Sequence, residues 1–342
     1  MLTSKIIWCF QLHRIYSFFK TDRCSILMFH RVVQVVKIPG IEISEAMFKD
    51  IIVYLQNKGY EFISIDTMHK YLLNNKFKHR KYIVLTFDDG YKDNYTFVYP
   101  YLLEKKIPFT IYVATDFIDK KSTLWWYLLF DYLKQEREQD SGHIIDVKHT
   151  RYKELAKQIR TLNIDQKHEF FSKVFIQNGI SLDKYLDLYT LNWNDILEMS
   201  DSGYVTIGAH TVAHQNLKNL NIDQVHEEVS ASKQIIEERL NGLVRHFAYP
   251  YGGYKEAGSR EYEALETYDF DTSVTTIEDN IRYKHKHQLS YLPRIPISGE
   301  MKNMNEFAVR LSGIYSLKNL LLIFKNKIKE SSGKAKYESF TN

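Results

Sequence analysis

Cysteine is scarce in this chain of 342 residues, which contains only Cys9 and Cys24. Both lie near the start of the sequence, and two cysteines are too few for a disulfide framework. The fold must therefore be held together by a hydrophobic core. A hydrophobic fraction of 44% over this length is enough for one large domain or two smaller ones.

Charge of one sign is also lacking, because the net charge is only +4 and the basic residues are spread along the chain. Proteins that bind nucleic acids usually carry a clustered basic face. We therefore expect no nucleic-acid partner. The sequence carries no signal for the oligomeric state.

Long hydrophobic runs are absent as well. The apolar stretch at residues 5–10 is soon interrupted by Gln11, His13 and Arg14, and it falls short of the ~20 apolar residues that a membrane span needs. No small-x-small cleavage site follows it. We expect residues 1–24 to form a helical segment packed on the domain, with peripheral membrane contact as the alternative. The predicted location is the cytoplasm or its membrane face, and secretion or outward anchoring stays open.

What the chain does have is a regular alternation of short apolar runs with helical patterns. Runs that are apolar on both faces are typical of a parallel sheet covered by helices. Seven or eight such units predict an α/β fold with a closed or nearly closed barrel. Asp66 and Asp223 are the predicted N-caps of two of the helices. The runs lie at about residues 25–30, 62–64, 82–87, 108–113, 204–210, 243–250, 272–275 and 291–297.

The alternation is broken between residues 116 and 190. This stretch is charged, rich in helix formers and poor in β-branched runs, so it predicts a helical insertion over or beside the site. Its Trp125 and Trp126 are assigned to the core of the insertion, with substrate contact as the alternative. The barrel is expected over residues 25–300, followed by a C-terminal segment over residues 301–342 that contains an amphipathic, lysine-rich helix at about residues 317–329 and a polar tail.

Two adjacent carboxylates, Asp88 and Asp89, end the run at residues 82–87 and are followed by Gly90. They are expected at the carboxyl end of a buried strand, where barrels and open α/β sheets bind their ligands. Neighbouring like charges need compensation, usually by a divalent metal ion or an arginine.

Histidines supply the rest of the candidate site. His210 and His214 follow another run at i and i+4, and a helical turn there would bring both imidazoles to one point. His30 ends a third run. Two histidines and one carboxylate form a facial triad with open metal positions, and zinc is the expected metal, with nickel, cobalt and iron(II) as alternatives.

Each of these features also has a structural explanation. An aspartate pair can serve a turn, an i,i+4 histidine pair can lie on a solvated helix surface, and His30 can be a core histidine. Their shared position at the ends of predicted parallel strands favours the functional interpretation, because such ends meet at one face of the fold.

Two motifs carry a resemblance to a known family. Thr86-Phe87-Asp88-Asp89-Gly90 and His210-Thr211-x-x-His214 resemble the polysaccharide deacetylases of the NodB-homology type, carbohydrate esterase family four. Residues 247–252 are similar to the third family motif, R-x-P-[YF]-G, with Ala248 where the arginine is expected. The final motif, L-x-H-[DS], is absent, and Leu292-Pro293-Arg294 stands there. In one branch of the family, which resembles deacetylases of exported poly-N-acetylglucosamine, the catalytic histidine comes from an N-terminal strand instead. Residues 28–32 of this chain, which include His30, resemble that strand.

The resemblance implies a distorted (β/α)7 barrel. It also implies a metal-dependent hydrolase that removes N-acetyl groups from a surface polysaccharide or its precursor and releases acetate. An acetylated glycan is thus the expected partner, and a divalent ion the expected cofactor. The implied metal ligands are Asp89, His210 and His214.

The remaining roles also follow from the resemblance. Asp88 is the expected general base, and His30 is the expected acid that protonates the departing amine. The backbone N–H of Tyr251 is expected to stabilise the oxyanion. Arg294 is the candidate for the positive charge that Ala248 does not supply.

Other functions stay open at this point. An O-acetyl esterase, such as one acting on acetylated xylan, differs only in its leaving group. A catalytically silent, glycan-binding barrel is favoured by Ala248 but not by the otherwise complete set of site residues. A membrane-surface scaffold built on the two end helices does not explain the residues at the strand ends.

Overall fold

The computed structural model of the chain describes residues 23–77, 80–138 and 150–313. The strands are β1 Arg23–Phe29, β2 Arg31–Val33, β3 Glu42–Ser44, β4 Glu61–Phe62, β5 Lys81–Phe87, β6 Phe109–Val113, β7 Val205–Ala209, β8 His246–Ala248, β9 Thr272–Val274 and β10 Ile295–Pro296. The α-helices are α1 Glu45–Asn57, α2 Ile65–Leu73, α3 Tyr99–Glu104, α4 Thr115–Ile118, α5 Trp125–Glu138, α6 Thr150–Thr161, α7 Ile164–Val174, α8 Leu186–Tyr189, α9 Trp193–Asp201, α10 Ile222–Leu240, α11 Ser259–Leu265 and α12 Met304–Leu311.

Seven parallel strands form a ring in the order β10, β1, β5, β6, β7, β8 and β9. Strands β1 and β5 pair along their whole length, with Phe29 opposite Phe87 at the carboxyl end. The ring is completed just before β10, because Leu292 exchanges two hydrogen bonds of 2.8 Å with the chain around β9, while β10 pairs with β1. The predicted distorted (β/α)7 barrel is confirmed.

Side chains alternate along the strands, as the β geometry requires. On β1 and β5 one set packs against the surrounding helices, and the rings of Phe29 and Phe87 stack at 5.3 Å in that layer. The other set meets residues of β6, β8 and β9 across the interior of the ring. This alternation continues past the strand ends. Asp88 therefore lies on the same inward side as Val84, and His30 lies on the same inward side as Ile26.

The helical insertion lies between β6 and β7 and contains α4 to α8. It has a hydrophobic core of its own, to which Trp125, Trp126 and Tyr127 contribute. Trp125 and Trp126 are only 5% and 6% exposed, and both also line the cleft described below. The two tryptophans therefore belong to the core of the insertion and to the wall of the cleft.

Two predicted helix caps are wrong. Helix α2 is capped by the Ser64 hydroxyl instead of Asp66, and helix α10 by the Asn221 side chain instead of Asp223. Each true cap lies two residues earlier, which leaves each aspartate in the first helical turn. That position also favours a carboxylate, because it lies near the positive end of the helix dipole.

The structure describes only part of the two predicted end segments. Residues 1–22 and the predicted helix at about residues 317–329 lie outside the described residues, and β1 begins at Arg23. Helix α12, which the sequence did not predict, packs on α1 through Phe307 and Tyr54, with ring centroids 5.7 Å apart. Among the helices described, none has the length and apolar character to span a membrane.

Candidate metal centre and active-site cleft

The two predicted carboxylates leave the end of β5 in different directions. Asp88 is 1% exposed and continues the sheet, because its N–H donates to the Phe29 carbonyl at 3.0 Å. Asp89 and Gly90 then adopt positive φ angles of 74° and 75°. A non-glycine residue in this region is strained, and such strain is concentrated at functional sites. The turn brings Asp89 towards the end of β7.

Asp89, His210 and His214 converge on one point. The Oδ1 atom of Asp89 lies 3.3 Å from Nε2 of His210 and 3.2 Å from Nε2 of His214. One donor atom of each side chain lies within 4.8 Å of the others, and all three residues are buried. Asp89 Oδ1 has no hydrogen-bond partner among the described residues. A buried carboxylate oxygen that faces two imidazole nitrogens without a hydrogen bond fits a cation between the three side chains.

The His210 ring is oriented by the backbone of β8. Its Nδ1 lies 2.7 Å from the Ala248 carbonyl oxygen, which fixes the proton on Nδ1 and leaves Nε2 free to bind a metal. Ala248 replaces the arginine of the family motif, yet its backbone carbonyl takes part in this site.

The predicted helical turn between His210 and His214 is wrong. Thr211 and His214 have positive φ angles of 65° and 54°, so the two rings are brought together by an irregular loop. The loop is held from outside by Glu228 of α10, whose Oε2 accepts two backbone N–H groups of the loop at 2.9 Å. Glu228 was not predicted from the sequence, because a contact between distant segments leaves no local pattern.

Asp88 is paired with Arg294, which lies just before β10. Two bonds of 2.7 Å join the guanidinium to both carboxylate oxygens, and Arg294 is completely buried. Arg294 also donates to the Thr275 carbonyl and to the Thr86 hydroxyl. The positive charge beside Asp88 thus comes from the last strand segment of the ring.

The charges in the site favour ionised carboxylates. Burial would raise the pKa of Asp88, but the charge and hydrogen bonds of Arg294 outweigh burial and lower that pKa. Burial likewise opposes ionisation of Asp89, and His214 and His210 lower its pKa well below the usual value. Both aspartates are therefore ionised at neutral pH.

The two histidines respond differently to the same environment. Burial lowers the pKa of His214, which favours the neutral imidazole that a metal ligand requires. Burial acts in the same direction on His210, but the neighbouring carboxylates of Asp89 and Asp88 raise its pKa.

These residues lie in a cleft of about 560 Å³ that the barrel and the insertion form together. His30 lines it from the end of β1, and its backbone carbonyl is fixed by the Asn94 side chain at 2.9 Å. The insertion contributes residues of α5 and α6 to the opposite wall. All seven predicted site residues except the deeply buried Arg294 line the cleft, namely His30, Asp88, Asp89, His210, His214 and Tyr251.

Tyr251 lies at a tight turn after β8. Tyr251 and Gly252 have positive φ angles of 59° and 47°, and the Tyr251 carbonyl accepts a hydrogen bond from the Thr276 hydroxyl at 2.7 Å. The Tyr251 ring packs against His214 with centroids 4.7 Å apart. Its hydroxyl accepts a hydrogen bond from the Trp125 indole at 3.2 Å, which joins the barrel to the insertion.

A second buried network, around Arg31, was also missed. Arg31 donates to Asp93 at 2.7 Å and to the Tyr127 hydroxyl of α5 at 2.8 Å, and Tyr127 in turn donates to Glu42. The network anchors the residue next to His30 to both the barrel and the insertion. The only local sign of this network in the sequence is Arg31 itself, a single basic residue that follows β1 and His30.

Comparison with known proteins gives a family and a fold. The family model described as polysaccharide deacetylase matches residues 75–268, which is more than half of the chain. A Bacillus subtilis protein named as a polysaccharide deacetylase, YxkH, is 23% identical over 259 residues. That match covers 75% of this chain and 66% of the relative, so the chain spans just under two-thirds of that protein.

Solved structures show the same fold at low sequence identity. The deacetylase PplD of Streptococcus pyogenes, solved with acetate, superposes with a TM-score of 0.58 at 20% identity, over 85% of this chain and 99% of PplD. A de-N-acetylase from Aggregatibacter actinomycetemcomitans superposes with a TM-score of 0.55 at 17% identity, over 84% of this chain and all of that one.

Proposed function

The chain belongs to the polysaccharide deacetylase family, and from this premise we propose that it is a metal-dependent hydrolase that removes N-acetyl groups from a surface polysaccharide or its precursor. The observation that carries the proposal is the convergence of the buried side chains of Asp89, His210 and His214 on one point, beside the paired Asp88 in the same cleft. The products are acetate and a free amino sugar.

Asp89, His210 and His214 are the residues that would hold the metal. A divalent ion held there supplies a Lewis acid that polarises the acetyl carbonyl and lowers the pKa of the attacking water. Zinc is our first choice because the donors are two imidazoles and one carboxylate, and nickel, cobalt and iron(II) take the same donors.

Asp88 is the general base in this proposal. Its pKa is lowered by Arg294, so the carboxylate is ionised and able to take a proton from water at neutral pH. Arg294 lies inside the ring and donates one hydrogen bond to each carboxylate oxygen of Asp88. It therefore orients Asp88 as well as keeping it charged.

His30 and Tyr251 act on the other parts of the substrate. His30 lines the cleft and would protonate the departing nitrogen, a step that amide cleavage needs because an amide anion leaves poorly. The left-handed turn at Tyr251 and Gly252 would present the Tyr251 N–H to the developing oxyanion.

N-deacetylation is preferred over O-deacetylation because a histidine acid beside the site is needed for an amine leaving group and matters less for an alkoxide. One structural neighbour is a de-N-acetylase, which agrees with this choice. The cytoplasm or its membrane face stays the predicted location.

The test compares acetate release from N-acetylglucosamine oligomers and from acetylated xylan by the purified chain, before and after zinc is removed by a chelator. We expect release from the N-acetyl oligomers, loss of release with the chelator, and recovery on adding zinc. Release from xylan alone would replace this proposal with the esterase. A metal-loaded chain that binds the oligomers but releases nothing would support the silent glycan-binding barrel.

A further inference from the structure

We propose that the natural glycan carries anionic groups, carboxylate or phosphate, near the acetylated sugar, and that a row of three cations on the insertion binds them. The row consists of Lys153, Lys157 and Arg160 on helix α6. This inference rests on the deacetylase function proposed above and narrows its substrate class.

The spacing of the row places it on one face of α6. Positions i, i+4 and i+7 share a helix face, and the row extends for about 10 Å along the axis. The stripe one residue earlier, formed by Tyr152, Ala156 and Ile159, is buried in the core of the insertion and fixes how the helix is rotated. All three cations line the same cleft as the metal centre.

The three cations of the row are exposed, and none forms an ion pair with a residue in the described parts of the chain. The buried arginines beside the cleft are different, because Arg31 is paired with Asp93 and Arg294 with Asp88. Charge that the protein itself leaves uncompensated along a binding cleft is available to an anionic ligand.

Arg160 connects the row to the metal centre. Its guanidinium carbon lies 5.4 Å from the centroid of the Tyr251 ring, and that ring packs on His214. The backbone carbonyl of Arg160 accepts hydrogen bonds of 3.0 Å from Asn216 and Asn219, which follow the His214 loop. The end of α6 is thus held close to the metal centre by two independent contacts.

The cleft is charged asymmetrically. Two carboxylates that line it, Glu256 and Glu300, belong to loops of the barrel, whereas the three cations belong to the insertion. An anionic substituent would be attracted to the insertion and repelled from those barrel loops. A neutral glycan gains no charge–charge attraction from this arrangement, so the arrangement predicts a preference for charged chains and a fixed orientation for them.

The test measures binding separately from turnover, by calorimetry on the zinc-loaded Asp88→Asn variant. The probes are three N-acetylated oligomers of equal length: neutral N-acetylglucosamine, a copolymer of N-acetylglucosamine with a uronic acid, and N-acetylglucosamine with a terminal phosphate. We expect an anionic probe to bind about tenfold more tightly than the neutral one, since a few partly exposed ion pairs together contribute on this scale. The probe that binds best distinguishes a carboxylate from a phosphate source.

Variants in the same background assign the preference to the row. Replacing all three cations with glutamine should abolish the preference, and the charge-conserving set Lys153→Arg, Lys157→Arg and Arg160→Lys should retain it. A matched control replaces three exposed lysines that do not line the cleft, Lys49, Lys70 and Lys173, with glutamine. The control should keep the preference, and in the parent variant the preference should weaken as salt is raised.

Equal binding of all three probes, or an anionic preference that survives the triple glutamine replacement, overturns the inference. The proposed function has its own readout, acetate release by the wild-type chain from the same probes. Release without any anionic preference in binding leaves the deacetylase standing and removes only the cation row. A preference carried by the row without release from any probe supports the row and counts against the deacetylase.

Discussion

The two walls of the cleft are built on different principles. On the barrel wall the charged groups at the strand ends are buried and compensated, as in the bidentate pair between Arg294 and Asp88. On the insertion wall the charged groups are exposed and carry no counterion within the described residues, while tryptophans supply the apolar surface. The first wall holds reacting groups in one geometry, and the second presents groups that a long, variable substrate can contact.

The walls also differ in what holds them. The barrel wall rests on a ring of parallel strands, and each of its groups follows a strand end. The insertion wall has a separate core, which also takes in barrel residues such as Tyr91, and polar contacts such as that from Trp125 to Tyr251 join it to the barrel. Substitutions on the barrel wall should therefore have large effects on the chemical step. Substitutions on the insertion wall should have smaller effects, mainly on substrate binding.

The largest effect is expected from His214→Ala, which removes one of the three donors on the barrel wall. Bound zinc measured by elemental analysis should fall well below one ion per chain, and acetate release should become undetectable. His287→Ala, at an exposed histidine outside the cleft, is the control and should retain both. Full zinc content in His214→Ala would remove it from the ligand set.

Arg294→Gln tests the compensated charge on the same wall. Without Arg294, burial raises the pKa of Asp88, so the acidic limb of the pH profile of kcat/KM should move to higher pH. The free energy of unfolding should fall by about 3 kcal/mol at neutral pH, because an unpaired charge stays buried.

The control for this prediction is Arg245→Gln, which breaks an exposed pair with Asp269. It should change the free energy of unfolding by less than about 1 kcal/mol. The sign follows from linkage: the paired Asp88 stabilises the fold above its unfolded pKa, and this stabilisation is lost as the pH falls through the lower folded pKa. An unmoved acidic limb in Arg294→Gln would contradict the coupling of the pair.

A smaller effect is expected from Glu228→Ala, behind the histidine loop. Losing two hydrogen bonds to the loop should weaken zinc affinity by about tenfold, which is typical for groups that orient metal ligands. Activity at saturating zinc should recover. Competition with a chelator measures the affinity, and Glu227→Ala, at the exposed neighbouring position, serves as the control. An unchanged affinity would mean that the loop keeps its shape without Glu228.

The smallest effect belongs to the insertion wall. Trp125→Phe keeps an aromatic ring but removes the N–H that donates to Tyr251. Steady-state kinetics should show KM raised by a few fold and kcat little changed. A tenfold loss of kcat at unchanged KM would contradict this division between the two walls, because it would place part of the chemistry on the insertion.

The sequence predicted the barrel wall better than the insertion wall, for a physical reason. A strand such as β5 has a short apolar pattern, and its parity alone directs Asp88 inwards, so both the fold and this residue can be read locally. Glu228 and the Arg31 network were missed because their partners come from distant segments. The loop at His214 was wrongly predicted as helical, since the i,i+4 spacing does not reveal the left-handed Thr211.

The insertion illustrates the same limit. Its helices were predicted from composition, but the rotation of α6 that turns Lys157 and Arg160 towards the cleft depends on packing against the core of the insertion. Trp125 shows why a choice between core and substrate wall could not be made from sequence, because the side chain takes part in both.

The role of Asp88 as the general base is tested most directly by measuring acetate release by the Asp88→Asn variant at a zinc content matched to the wild type. Asparagine keeps the shape of the side chain but cannot take a proton, and general bases typically contribute 10²- to 10⁴-fold. If Asp88 is the general base, zinc binding should be unchanged and kcat should fall by at least about a hundredfold. A variant that keeps its zinc and releases acetate within a few fold of the wild-type rate would contradict the claim that Asp88 carries the chemistry.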